Sequence, residues 1–201
     1  MKRSRSPLRA WRINRLALRA QRGELSAFEA LYRDVAPLIA RYVRRRVADA
    51  SDAEDVIGTT LTKLIEGLGR FDPREGSFEA WALRIARNAA IDHWRRSRPT
   101  LPCVEDEPIS TNTPLDVAIA KQAAQQVREV LTELPNATRE ILELRMVEGL
   151  AYHDIAALQD TTSQVVRQRL SRALKRIKEK LHAEEHTTDG RKTNVARSRT
   201  P

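Results

Sequence analysis

An all-α protein, built as two small helical domains joined by a flexible linker, is the fold class that this sequence predicts. Apolar residues recur at three- and four-residue spacing through residues 25–98 and again through 115–181, the repeat of a helix that buries one face. Start and stop signals punctuate both stretches, with Ser, Thr or Asn at the beginnings and Gly at the ends. Between them, residues 99–116 hold four prolines and little periodicity, which marks a connector. The organisation that follows is a basic extension over 1–22, a helical domain over 23–98, the linker over 99–116, a helix-turn-helix domain over 117–181 and a disordered tail over 182–201.

In chain order, residues 1–10 read as a disordered basic arm, with helical periodicity starting near Trp11. From Leu25 the pattern firms up: Phe28, Leu31, Tyr32, Val35, Leu38, Ile39, Tyr42 and Val43 lie on one helical face, and Pro37 should kink that helix. Ser51-Asp-Ala-Glu54 has capping-box spacing and opens a helix with Val56, Ile57, Leu61, Leu64 and Ile65 inward, which Gly67 and Gly69 stop. Asp52, Glu54 and Asp55 fall in its first turn, where the helix dipole favours acids.

A Pro/Gly-rich loop, Asp72 to Gly76, then leads to Ser77 as N-cap of an unbroken helix about 30 Å long. At 100° per residue Phe78, Trp81, Ala82, Ile85 and Ala89 share a side that must pack. Arg84, Arg87, Asn88, Ile91, Trp94 and Arg95 fall on the other. Three arginines, an amide and an indole on an open face suit phosphates, base edges and stacked bases.

After the linker, Ile119, Ala123, Val127, Val130 and Leu131 form a stripe in a helix over 115–134. Pro135 breaks it, and Asn136 can cap a helix through Glu148 that carries Ile141, Leu142, Leu144 and Met146 and ends at Gly149. A short helix, Tyr152 to Leu158, and the turn Gln159-Asp160 precede Thr161-Thr-Ser-Gln164, a second capping-box spacing that opens a helix to Leu181. Val166, Leu170, Ala173, Leu174, Ile177 and Leu181 form its buried side, while Gln164, Arg167, Gln168, Ser171, Arg172 and Lys175 face outward. A short helix, a tight turn and a second helix rich in Arg and Gln is the helix-turn-helix arrangement. In the major groove, Arg can fork onto guanine and Gln onto adenine.

Charge agrees with this reading. Of 201 residues 41% are apolar, enough for modest cores, and the net charge of +9 is unevenly spread. Eight bases and no acid precede Gly23, four acids and no base occupy 99–116, and residues 161–181 hold seven bases against Glu179 alone. Two basic regions separated by an acidic connector suit a polyanion touched at two places. No apolar run approaches the roughly 20 residues of a membrane span, the amino terminus lacks a signal-peptide core, and the single Cys103 excludes an intrachain disulfide. These features point to a reducing, cytoplasmic setting.

The chain resembles the extracytoplasmic-function sigma factors, the smallest members of the sigma-70 class, over about residues 25–98 and 115–181. Ala27-Phe-Glu-Ala-Leu-Tyr32, Asp52-Ala-Glu-Asp55, Phe71-Asp-Pro-Arg-Glu-Gly-Ser77, Trp81 and Arg84-Ile-Ala-Arg-Asn88 with Asp92 look like sigma region 2. Leu134-Pro135, Arg139-Glu140, Glu148-Gly-Leu-Ala-Tyr152, Asp154-Ile-Ala156 and Arg169-Leu-Ser-Arg-Ala173 are similar to region 4. The resemblance implies a factor that directs core RNA polymerase to promoters. Region 2 would capture the melted nontemplate strand of the −10 element through Arg84, Arg87, Asn88, Asp92, Trp94 and Arg95, with the Phe71–Ser77 loop and Asn88 at a flipped base. Region 4 would read the −35 duplex through Gln164, Arg167, Gln168, Ser171, Arg172 and Lys175. The polymerase clamp would meet Asp52, Glu54, Asp55, Thr59 and Leu61, and the resemblance also allows an anti-sigma factor as partner.

The sequence departs from the family pattern in three places. Gly58, Thr59 and Leu61 stand where Gln, an acid and Phe are usual, Gln159-Asp160-Thr161 replaces the usual Leu-Gly-Ile turn, and the basic extension has no counterpart in the minimal pattern. Asp160 tolerates the left-handed conformation that Gly normally supplies. A stand-alone helix-turn-helix regulator is the alternative; it accounts for residues 135–181 but leaves 71–98 without a role. Enzymatic activity is not expected: no Gly-rich phosphate loop or paired carboxylates stand out, and His93 and His153 lie in unrelated helices. His182 and His186, four apart with Glu184 and Glu185 between, read as solvated tail, so no metal, cofactor or catalytic residue is assigned.

Overall fold

The computed structural model describes residues 7–96 and 127–196, with side-chain surroundings for 8–96 and 127–180. The linker expected over 99–116, Cys103 and the start of the helix expected from Leu115 lie outside the described residues. The elements are α1 (Pro7–Ala20), α2 (Leu25–Arg44), α3 (Ala50–Gly67), a 3-10 turn (Leu68–Arg70), α4 (Phe78–Arg96), α5 (127–133), α6 (Asn136–Leu142), a π turn (Glu143–Val147), α7 (Tyr152–Leu158) and α8 (Ser163–Ala196). Among the described residues there is no strand. They fall into two compact units: Met1–Asp106 with Leu144–Ser163, and Glu107–Glu143 with Gln164–Pro201.

The first unit is a bundle whose core is built largely from the buried faces of α2 and α4. Leu31, Val35, Leu38, Ile39, Tyr42 and Val43 are buried at the expected spacing, and the helix continues through Pro37, which is exposed. Phe28 is half-buried and Tyr32 exposed, so the apolar stripe is wider than the core it fills. From α3 come Val56, Ile57 and Leu64, and from α4 Phe78, Ala82, Leu83, Ala86, Ala89 and Ala90. The small residues of α4 let neighbouring helices approach closely. Ile85 and Trp81, expected inside, are half-buried, because the contact face is rotated toward Leu83 and Ala86.

The expectation of a loose arm over residues 1–10 is corrected for residues 7–10, while residues 1–6 lie outside the described residues. Pro7 suits the first turn of a helix, where a missing N–H costs nothing, and α1 starts there. Its face is fixed by Ile13 and Ala17, both fully buried and four residues apart, whereas Trp11 is exposed with the Arg15 guanidinium 5.3 Å from its ring. Gly23, at φ +85, turns the chain into α2.

Helix ends differ from the capping signals in four places. The N-cap of α3 is Asp49, whose side chain accepts from the Asp52 backbone N–H, so Ser51 lies inside the helix and no Ser51–Glu54 box forms. A carboxylate there opposes the helix dipole better than a hydroxyl does. Asn136 is likewise inside α6, after Pro135, and its side chain accepts from Arg139. The helix expected to run to Glu148 ends at Leu142 and widens into the π turn, which leaves Met146 exposed and lets the Leu150 N–H reach the Leu144 carbonyl at 2.9 Å. At the far end, α8 starts at Ser163, one residue later than the box spacing requires, and continues to Ala196 where an unstructured tail was expected from 182. No proline stands in its path to stop it. Ile65 and Leu174, expected inward, are exposed.

In the second unit Val130, Leu134, Ile141, Leu142, Val166, Leu170 and Ala173 are buried, and Arg176 pairs with Glu133 at 2.5 Å.

The capping assignment is open to measurement. Asp49→Ala should cost about 1 kcal/mol of stability in chemical denaturation followed by circular dichroism, and Ser51→Ala should be near neutral. The reverse order would restore Ser51 as the cap.

Candidate nucleic-acid interface

The loop before α4 is built by local signals. The Asp72 side chain accepts from the Arg74 N–H at 2.9 Å and its carbonyl from the Glu75 N–H at 3.1 Å, which folds the Pro73-Arg74 corner. Gly76, at φ +143, adopts a conformation that a side chain would strain. Three rings anchor the loop: Phe71 stands edge-on to Phe78 with centroids 5.0 Å apart, and Trp81 lies 5.8 and 5.2 Å from the two. Trp81 covers Gly67, where a Cβ would come within 3.3 Å of the indole.

The amino end of α4 exposes backbone donors that need partners. Ser77 Oγ accepts from the Ala80 N–H at 3.2 Å, as expected of an N-cap. No local signal marks the other two acceptors. Asn14 of α1 accepts from the Phe78 N–H at 2.8 Å, and Asp154 of α7 accepts from both the Ser77 N–H at 3.0 Å and its hydroxyl at 2.8 Å. Gly76 has no Cβ because one would lie 3.0 Å from Asp154 Oδ1. Nearby, the buried Glu148 receives a two-pronged contact from Arg41, Nη2 at 3.1 Å and Nε at 3.4 Å. In the sequence Asp154 and Glu148 stand out only as parts of a motif; their burial is a long-range property with no periodic signature.

The open face of α4 is largely as expected. Arg84, Asn88, Asp92 and Arg95 are exposed along one line, and Trp94 beside them is 44% exposed. Arg87 departs from this: it is half-buried and engaged in an interaction of its own. Arg84 also lines a shallow pocket with Phe71, Glu75, Ser77, Trp81 and Asp154; Asn88, one turn further along, does not. The pocket is lined by aromatic residues, by Arg84 and by the acids Asp72, Glu75 and Asp154.

The α3 set divides. Helical geometry puts Asp52, Asp55 and Thr59 within about 60° of one another, with Glu54 and Leu61 on a different side. The contacts agree: Asp52 lies 3.4 Å from His93 of α4, whereas Glu54 takes Arg44 of α2 at 2.8 Å. Leu61 lines an apolar groove with Phe28, Tyr32, Val35, Leu64 and Ile65. Tyr32 and Ile65 were expected in the core; the signal that could have marked them is an apolar stripe broader than one helix can bury.

On α8, Gln164, Arg167, Gln168, Ser171, Arg172 and Lys175 are all exposed on one face. Asp160 takes the left-handed conformation, φ +49, and the Thr161 N–H closes the turn on the Ala156 carbonyl at 3.0 Å. The polar replacement for a glycine turn therefore holds its shape. Among the described residues no group of His, Cys, Asp and Glu could hold a metal ion, and no helix is long and apolar enough to cross a membrane.

Known proteins resemble the chain in the same two places. Residues 31–100 match the family "Sigma-70 region 2" and residues 124–177 match "Sigma-70, region 4". The RNA polymerase sigma-H factor of Pseudomonas aeruginosa is 31% identical over 81% of this chain and 90% of its own length. The ECF RNA polymerase sigma factor SigD of Mycobacterium tuberculosis is 31% identical over 86% and 85%. The ECF RNA polymerase sigma factor BldN of Streptomyces coelicolor is 27% identical over 83% of this chain but only 64% of its own length. Among solved structures, CnrH in complex with the cytosolic domain of CnrY aligns with TM-score 0.57 at 26% identity over 87% of this chain and 98% of that one. RpoE of Bartonella quintana, solved with the anti-sigma factor NepR, shares the fold at TM-score 0.60 and 23% identity, over 79% and 98%.

Asp154→Ala should raise hydrogen exchange at the Ser77 and Ala80 amides and lower stability by about 1–3 kcal/mol, the cost of leaving buried donors unpaired. Asp154→Asn keeps one acceptor and should do less. Unchanged exchange at Ser77 in the alanine variant would remove Asp154 from the cap.

Proposed function

The chain belongs to the extracytoplasmic-function group of the sigma-70 family, and from that premise we infer that it directs core RNA polymerase to particular promoters and starts transcription there. The observation that carries the reading is the pairing, on one chain, of an aromatic-anchored loop leading into an Arg-bearing helix with a helix-turn-helix whose second helix exposes Arg and Gln. A stand-alone helix-turn-helix regulator accounts for α7 and α8 but gives the loop and α4 no task.

The division of labour proposed is a −10 domain over 23–98, a −35 domain over 117–181 and a tethering segment between. In the first, the pocket at Phe71, Ser77, Trp81 and Arg84 receives a base extruded from the melted nontemplate strand. Extrusion costs a few kcal/mol, which ring stacking and hydrogen bonds must return. Asn88, Asp92, Trp94 and Arg95 continue the track along α4, and Arg87 serves more as a brace than as a contact. In the second, Gln164, Arg167, Gln168, Ser171, Arg172 and Lys175 meet the −35 major groove. The groove between α2 and α3, with Leu61, Tyr32 and Ile65, is the apolar part of the polymerase-docking face, with Glu54 on the same side of α3, and Asp52, Asp55 and Thr59 meet polymerase from the other side of that helix. An anti-sigma factor, of the kind seen with the Bartonella protein, is the second protein partner proposed. The chain acts in the cytoplasm, on polymerase, with no catalytic residue or cofactor of its own.

Run-off transcription with purified core polymerase on genomic fragments tests this directly. Defined start sites sharing two upstream elements are expected; retained duplex binding with no transcript would make the chain a plain regulator. On a mapped promoter, Arg167→Ala or Arg172→Ala should weaken upstream recognition by about 1–3 kcal/mol if the side chain forks onto a base. A uniform loss on every sequence, with a shallower salt dependence, assigns that arginine to phosphate. Asn88→Ala should reduce permanganate reactivity of the −10 thymines while upstream binding stays intact; unchanged reactivity takes Asn88 out of strand capture.

A further inference from the structure

We propose that Asn14 of α1 and Gln21, which follows its last residue and closes its final turn on the Ala17 carbonyl, are positioning residues for the base-capture loop, which makes the amino-terminal helix a working part of −10 recognition. The inference rests on the reading of Phe71–Ser77 as the loop that takes the extruded base.

The loop is pinned at both ends by one face of one helix. Gln21 Nε2 donates to the Leu68 and Phe71 carbonyls, 2.8 Å each, where the chain leaves the 3-10 turn. Asn14 Oδ1 accepts from the Phe78 N–H at 2.8 Å, where the chain enters α4. Residues seven apart lie on the same side of a helix, about 10 Å from each other along its axis. Residues 72–77 are thus strung between two fixed points on a straight bar. The bar itself is held: Ile13 and Ala17, on its flank, are fully buried, and Arg9 meets Glu79 at 3.3 Å. Neither amide lines the pocket. Both act through the loop backbone, and a site must be held to within about half an ångström to discriminate.

The two amides play opposite parts, and this gives the proposal its signature. A backbone N–H can only donate, so Asn14 must present its oxygen; backbone carbonyls can only accept, so Gln21 must present its nitrogen. Asn14→Asp keeps the acceptor and places a negative charge at a helix amino end, which the dipole favours. Gln21→Glu is as conservative in shape, yet it removes both donors and sets a carboxylate against two carbonyl oxygens. A role limited to filling space would treat the two changes alike.

The test uses holoenzyme assembled from the full chain and core polymerase, with a nontemplate-strand oligonucleotide carrying a −10 element mapped by run-off. Affinity is compared with the same oligonucleotide made abasic at each position in turn, and the ratio at the most sensitive position measures base capture. Gln21→Glu, Gln21→Ala and Asn14→Leu should each reduce that ratio about five-fold, the worth of roughly one lost hydrogen bond. Asn14→Asp should keep it, and polymerase and upstream duplex binding should stay at the parent level throughout. An unchanged ratio in Gln21→Glu, or an equal loss in Asn14→Asp, overturns the proposal whatever happens to thermal stability. A parent chain sensitive at no position removes the base-capture reading, and this inference with it.

Discussion

The amino end of α4 is the point on which the first unit depends. A helix start leaves backbone N–H groups without partners, and burying them unpaired costs on the order of 1–3 kcal/mol apiece. Here Ser77, Phe78 and Ala80 find acceptors on α7, on α1 and in the N-cap itself. Segments far apart in sequence are therefore bound to one turn of backbone. The aromatic cluster of Phe71, Phe78 and Trp81 sits directly behind it, and the pocket with Arg84 opens in front. The geometry of the candidate base site is a consequence of how that helix start is satisfied.

Charge is distributed by function as well as by number. Several arginines are taken up internally: Arg12 by Asp34, Arg19 by Glu24, Arg44 by Glu54 and Arg41 by Glu148. The pairs that are exposed on both sides contribute little to stability, and the hydrogen bond to Arg19 holds the Glu24 carboxyl below its ordinary range. Arg41–Glu148 differs, since its acid is buried and would be left uncompensated without the guanidinium. The bases of α8 retain an exposed face. Each internal pair sums to zero, so the net charge of +9 rests on the remaining bases, those exposed on α8 among them.

Most helices were legible because burial of one face imposes a period that composition cannot hide: Leu31, Leu38 and Tyr42 could be placed inside α2, and the Gln164 to Lys175 face outside α8, without coordinates. Helix ends were less legible. Asp49 outcompeted Ser51, Pro135 displaced Asn136, and a π turn took over after Leu142, because neighbouring residues offer nearly equivalent caps and context decides among them. Turn residues, the Ser77 cap and periodicity located the loop and α4, yet no local signal marked Asn14, Gln21 or Asp154, whose partners lie tens of residues away. An amide or a carboxylate has no periodicity of its own.

Gly76 joins the two kinds of constraint. Its φ of +143 excludes side chains for reasons of backbone, and the 3.0 Å from its would-be Cβ to Asp154 Oδ1 excludes them for reasons of space. Relatives that share the region 2 and region 4 pattern invite the making of chimaeras, in which one protein's amino-terminal half is grafted onto another's carboxy-terminal half. For this chain the halves are not freely interchangeable parts. A donor that brings a larger residue at 76, or an acid of different reach at 154, would break the seam even where both halves fold well, and recombination should be planned with those two positions inherited as a pair.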